Sequence, residues 1–110
     1  MPASIGIPEN QVWGIDQLSE RPQFVRRTSP VYPTRAQLRG LEGKVELQIV
    51  FNKEGRVEEL EILSSDHGGI FDRSALAAVK SWQIKPMTRD GKPVSVRFTQ
   101  TVDFYLKAGR

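Results

Sequence analysis

A chain of 110 residues, 38% hydrophobic and 26% charged, has the make-up of one globular domain and is too short for two. It has no cysteine, which excludes disulfide staples, thiolate catalysis and cysteine-bound zinc, and fits either a reducing or an oxidising compartment. Its 16 basic and 13 acidic residues leave a net charge of +3, a mild excess that permits an acidic partner without indicating nucleic acid.

No apolar run reaches the length of about 18 residues that a membrane-spanning helix needs. The opening MPASIGIPEN lacks the basic and apolar regions of a signal peptide, so an export signal, if the protein is exported, is expected to lie outside this chain.

Residues 1–28 read as an irregular arm. Pro2, Pro8, Pro22, Gly6 and Gly14 interrupt any period, while Val12, Trp13, Ile15, Leu18, Phe24 and Val25 offer anchors for docking on a body. A short helical turn is expected near Asp16–Glu20, and a loose far end.

From Ser29 the pattern sharpens. Pro33 can sit in the first turn of a helix, where its missing N–H costs nothing, and TRAQLR follows. Gly40 can close that helix in the left-handed conformation.

EGKVELQIVFNKEGRVEELEILSS then reads as a β-hairpin. Val45, Leu47, Ile49 and Phe51 alternate with polar residues, the period of a strand with one buried face. NKEG is the turn, with Gly55 at positive φ. In the second arm the phase shifts at Glu58–Glu59 before Leu60 and Ile62, which predicts a β-bulge.

Phe71, Ala75, Leu76, Val79 and Trp82 next fall on one face of a helix, with Asp72 and Lys80 placed to suit its dipole. Pro86 forbids its continuation. MTRDGKP reads as a turn. VSVRFTQTVDFYL alternates to the end, with only Gln100 breaking the apolar face.

The order helix, strand, strand, helix, strand predicts an α+β two-layer domain: a three-stranded antiparallel sheet with two helices on one face. A sheet this small has two edges, each a row of unpaired backbone donors and acceptors. The last strand is expected to carry the open one.

Catalytic groups are poorly represented. His67 is the only histidine and has no second ligand for a metal, so it reads as a solvated loop residue. Ser64, Ser65 and Ser74 lack a nucleophile-elbow context. Glu58, Glu59 and Glu61 read as a solvated strand face, and the glycine turns lack the Lys-Ser/Thr of a phosphate loop. No enzyme, cofactor or metal is expected.

A nucleic-acid module would set aromatics and basic residues together on an open sheet face. Here Phe51, Phe98 and Phe104 fall on the apolar side, and EGRVEELE would repel phosphate.

The pieces in order have a familiar outline. Pro30, Tyr32, Pro33 and Ala36 are followed by Glu42, Gly43 and Val45, and by Phe51, Gly55 and Val57. Phe71, Asp72, Ala75, Leu76, Ala78, Trp82 and Pro86 complete the series. From Ser29 to Leu106 the chain resembles the C-terminal domain of TonB-family energy transducers. It departs at Ile84, where an aromatic is frequent, and at Met87, where glycine is. The division into an arm (1–28) and a TonB C-terminal-like domain (29–107) follows the same resemblance.

The resemblance implies a periplasmic domain of a Gram-negative bacterium, hung from an inner-membrane anchor. It would bind the TonB box, an extended segment of outer-membrane transporters, and pass on the work of an ExbB/ExbD-type motor for uptake of siderophores, haem or similar nutrients. The binding mode would be strand addition. Carried over by position, the pairing residues are Ser95, Val96, Arg97, Phe98, Thr99, Gln100, Thr101, Val102 and Asp103, with Tyr32 and Pro33 as a second contact.

Plainer readings stand beside these. Tyr32 and Pro33 could simply start the helix and cover the core, and Trp82 reads as core. The arm, or a second copy in a weak homodimer, could cover the edge. A TolA-like interaction domain remains an alternative, and a nucleic-acid module a more distant one.

Overall fold

A computed structural model describes residues 11–106, so residues 1–10, including the far end of the arm, lie outside the described residues, as do 107–110. In chain order the elements are β1 (Val12–Gly14), β2 (Phe24–Arg26), α1 (Thr34–Leu38), β3 (Gly43–Phe51) and β4 (Val57–Ser65). Then come α2 (Asp72–Lys80), β5 (Gln83–Ile84), β6 (Met87–Arg89) and β7 (Lys92–Phe104). The short helical turn of the arm is a 3-10 turn at Ile15–Gln17.

Alternation sets the centre of the fold. Val45, Leu47, Ile49 and Phe51 of β3 are fully buried, and β3 pairs antiparallel with both β4 and β7. Against β7 the register is unbroken from Gly43 opposite Phe104 to Phe51 opposite Val96. Against β4 it slips twice. Val50 faces Glu59 while Phe51 faces Val57, leaving Glu58 as the extra residue foreseen from the phase shift. A second slip leaves Leu63 over, since Glu46 faces Ser64 and Leu47 faces Ile62.

Both helices cover the same sheet face. Ala36 of α1 and Ala75 and Val79 of α2 share one core cluster with the β3 residues, Val96, Val102 and Phe104. Gly40 (φ 65) ends α1 as expected, and the Leu41 N–H turns back to the Ala36 carbonyl at 2.9 Å. Pro33 stands one place earlier than expected. It is extended and immediately precedes the helix, and its carbonyl accepts the Gln37 N–H at 2.9 Å.

The sheet is larger than three strands. Its path is β1-β7-β3-β4, with β6 also paired to β7, and β2 and β5 form a separate two-stranded ladder. The segment read as a turn is a tight hairpin. Asp90 (φ 55) and Gly91 (φ 80) both adopt left-handed conformations, the geometry that joins two strands through two residues without splaying them. The described part of the arm docks on the body, as its apolar anchors led one to expect. The Phe24 ring meets Trp82 edge-on at 5.4 Å, the Arg27 guanidinium lies over both rings, and the Trp82 indole N–H donates to the Thr28 carbonyl at 2.8 Å.

Candidate peptide-docking edge

The backbone of β7 has two sides, and the register tells them apart. Lys44 turns its backbone toward β4: its carbonyl accepts the Asp66 N–H at 3.1 Å and its N–H donates to the Asp66 carboxylate at 3.0 Å. Backbone direction alternates along a strand, so Gly43, Val45, Leu47 and Ile49 point the other way, to Phe104, Val102, Gln100 and Phe98. Thr99, Thr101 and Asp103 therefore direct their N–H and C=O groups away from the sheet. Their side chains are exposed. One of these groups is already engaged, for the Gln100 side-chain amide donates to the Thr101 carbonyl at 2.9 Å.

The expectation of an open edge holds for only part of β7. β6 pairs with it over Lys92–Val94, and β1 runs parallel to it over Ser95–Arg97. Among the described residues, the free length runs from Phe98 to Phe104. Of the carried-over residues, Ser95 is 6% exposed, and Val96 and Val102 are core. Phe98 faces the helices and stacks on Phe51 with ring centres 5.6 Å apart. Arg97 is exposed, but its backbone is opposite Gly14.

Among the described residues nothing covers the opposite edge, β4, but it is ill suited to another strand. Two bulges interrupt its ladder, and Glu58, Glu59 and Glu61 line it, both devices by which natural sheets discourage edge pairing. The long regular strand with a free stretch is β7.

Tyr32 and Pro33 part company. The Tyr32 ring packs edge-on against Phe71 (5.7 Å) and Phe104 (5.8 Å), and its hydroxyl donates to the Leu41 carbonyl. Desolvation, and after it the Glu42 carboxylate, raise its phenol above the ordinary tyrosine value, so it stays a donor at neutral pH. It touches β7 at Phe104, on the helix side and not at the free backbone groups.

Pro33 instead lines a groove of about 620 Å³ between the extended segment Thr28–Pro33 and α2, with Pro30, Val31, Arg35, Ile70 and Arg73. That segment is held at both ends, by the Trp82–Thr28 bond and by the Ser74 hydroxyl donating to the Val31 carbonyl. Val31 is 79% exposed beside it. His67 is exposed, with its Nε2 2.7 Å from the Glu42 carbonyl, a loop tie and not part of a constellation.

A small α+β domain whose sheet keeps a free, regular edge belongs to the class of modules that can take an extended peptide as an added strand. Residues 28–106 match the family model of the Gram-negative bacterial TonB protein C-terminal, and the chain belongs to that family. It is 33% identical over 86 residues to protein TonB of Pseudomonas aeruginosa, a match covering 78% of this chain and 25% of the relative. To protein TonB of Vibrio cholerae it is 35% identical over 91 residues, 82% of this chain and 37% of the relative. The chain thus spans little more than a third of such relatives at most.

Among solved structures, the TonB C-terminal domain of P. aeruginosa aligns with a TM-score of 0.70 at 31% identity, covering 81% of this chain and 90% of that one. The tonb2 protein of Vibrio anguillarum aligns at 0.59 and 27% identity, covering 97% and 92%.

Sequence reasoning allowed the arm to cover the edge but did not place Trp13 or Arg89 beside it. The only available signal was the Asp-Gly pair between Arg89 and Lys92, which marks a two-residue hairpin.

Proposed function

We propose that this domain is the receptor-binding end of a TonB-like energy transducer, and that it captures the TonB box of outer-membrane transporters as an added strand along Phe98–Phe104. The observation that carries this is the set of outward backbone groups on Thr99, Thr101 and Asp103, of which, among the described residues, only the Thr101 carbonyl is engaged. We take residues 29–107 as the docking domain and residues 1–28 as an arm leading to it. The full protein is then anchored in the inner membrane, reaches through the periplasm and is worked by an ExbB/ExbD-type motor. The groove beside Pro33 provides the second contact, and Tyr32 sets its position by pinning the chain ahead of α1.

About five backbone hydrogen bonds at roughly 0.5–1.5 kcal/mol net each, less the ordering of the peptide, give affinity of about micromolar order. That suits a coupling that must form and release. A force directed along paired strands loads those bonds together, so the attachment resists pulling better than its equilibrium affinity suggests. Separation at negligible force in a single-molecule pull contradicts this.

The absence of native cysteine gives a clean capture experiment. Single cysteines at Thr99, Thr101 and Asp103, and at Glu61 of β4 as control, are offered to a TonB-box peptide bearing one cysteine. Disulfide capture on β7 and not at Glu61 supports the proposal; equal capture at all four positions overturns it.

A further inference from the structure

We infer that β1 is a resident occupant of the docking edge, and that an incoming peptide reaches its full length of contact by displacing it. The inference rests on the strand-addition reading above and adds a regulation of the same site. Val12, Trp13 and Gly14 lie opposite Ser95, Val96 and Arg97, on the side of β7 from which Thr99, Thr101 and Asp103 project their free groups. A peptide added along the free stretch therefore meets the arm end-on.

The arm holds this place weakly in itself. β1 has three residues, none of them fully buried, and a 3-10 turn follows at once. Beside the packing of Ile15 and Leu18 on the core, what fastens it is Arg89 of β6. The Arg89 guanidinium lies 4.0 Å above the Trp13 ring, and its Nη1 donates to the Gln17 carbonyl at 3.0 Å. The Gln17 side chain in turn accepts the Gly14 N–H at 2.7 Å. One side chain thus grips the strand and the turn after it. None of these groups belongs to the free stretch of β7; Arg89 and Gln17 are exposed, and Trp13 and Gly14 half-buried.

Two docking lengths follow. With β1 in place, a peptide reaches only the outward groups of Thr99, Thr101 and Asp103. With β1 lifted, Ser95 and Arg97 join Thr99, Thr101 and Asp103 on one continuous edge. Displacement exchanges the β1–β7 pairing for peptide–β7 pairing, so while Ile15 and Leu18 keep their places on the core, its net cost is close to that of releasing the Arg89 latch. The latch sets the balance between the short and the long mode.

The test is an amide-shift titration of the full chain with a synthetic TonB-box peptide, in wild type, Trp13→Ala and Arg89→Ala. A fourth protein, Val12→Cys/Ser95→Cys, locks the arm when oxidised, since paired neighbouring strands lie about 4.8 Å apart, within disulfide range. Loss of a surface cation–π contact predicts binding about two- to five-fold tighter in each single variant. The amides of Val12–Gly14 should move on saturation. The oxidised lock should bind more weakly, with shifts confined to Thr99–Asp103, and reductant should restore the wild-type pattern.

Peptide shifts on Thr99–Asp103 with equal affinity in all four proteins and unmoved Val12–Gly14 amides overturn the inference while leaving the docking edge standing. Absence of β7 shifts in every protein, the reduced cysteine variant included, removes the docking reading and the inference with it.

Discussion

Thr101→Pro is the substitution that separates a backbone edge from a side-chain surface. Thr101 is exposed, its side chain is on the face away from the helices, and its N–H points off the sheet, so proline there breaks no bond to β3. Edge positions whose N–H faces solvent are where strands tolerate proline. Folding should therefore lose about 1 kcal/mol, mainly from the fixed φ. Docking should lose far more. The central donor disappears, at about 0.5–1.5 kcal/mol, and the ring stands where the added strand must approach, which breaks the flanking bonds as well. Together these predict at least a tenfold fall in peptide affinity. Thr101→Ala keeps the backbone and should bind within about twofold of wild type. Calorimetric titration of both, with thermal melts to confirm folding, decides the matter. Equal affinity of a folded Thr101→Pro refutes the edge, and a large loss in Thr101→Ala refutes the claim that the backbone carries the binding. Should Thr101→Pro fail to fold, Thr99→Pro makes the same comparison.

Other substitutions probe the scaffold. Phe71 is fully buried and stacks on Phe104 at 4.5 Å, so Phe71→Ala should cost about 3–5 kcal/mol in denaturant unfolding. Gly55→Ala places a Cβ 1.9 Å from the Ile84 carbonyl at φ +84 and should cost more than about 2 kcal/mol, whereas Gly91→Ala (φ +80, open space) should cost about 1 kcal/mol; comparable losses would contradict the contact. Tyr32→Phe removes the hydroxyl that meets the Leu41 carbonyl and should lower the melting temperature. Because the folded phenol titrates above its unfolded value, wild type should lose stability as the pH rises through and beyond about 10, and Tyr32→Phe should lose less over that range. An identical alkaline decline in both proteins would rule Tyr32 out as its source.

The parts of the fold written in the sequence are those whose residues repeat a period long enough to see. β3 and the stretch of β7 from Val94 alternate with one buried face, apart from Val50 and Ser95, which are buried on the other, and the Glu58 bulge shows as a break in the alternation of β4. Gly40 and Gly55 announce backbone conformations that other residues avoid. β1, β5 and β6 are two or three residues long and carry no period of their own. Their strand character comes from the partner they lie against, which sequence pattern does not encode.

The same limit governed the site. Alternation marked β7 as a strand with an edge, but which stretch of that edge stays free depends on where the arm comes to rest, some eighty residues away in sequence. Tyr32 illustrates the other ambiguity. A Tyr-Pro step can face a partner or the core, and the rings of Phe71 and Phe104 turn this tyrosine inward while Pro33 lines the groove.

Amide hydrogen exchange along β7, with and without a TonB-box peptide, tests the central claim most directly. In the free domain Phe98, Gln100 and Val102 should be protected by β3, and Thr99, Thr101 and Asp103 should exchange fast. Peptide should slow those three and leave β4 unchanged. Protection that appears on β4, or an exchange pattern along β7 that the peptide does not alter, would contradict docking at this edge.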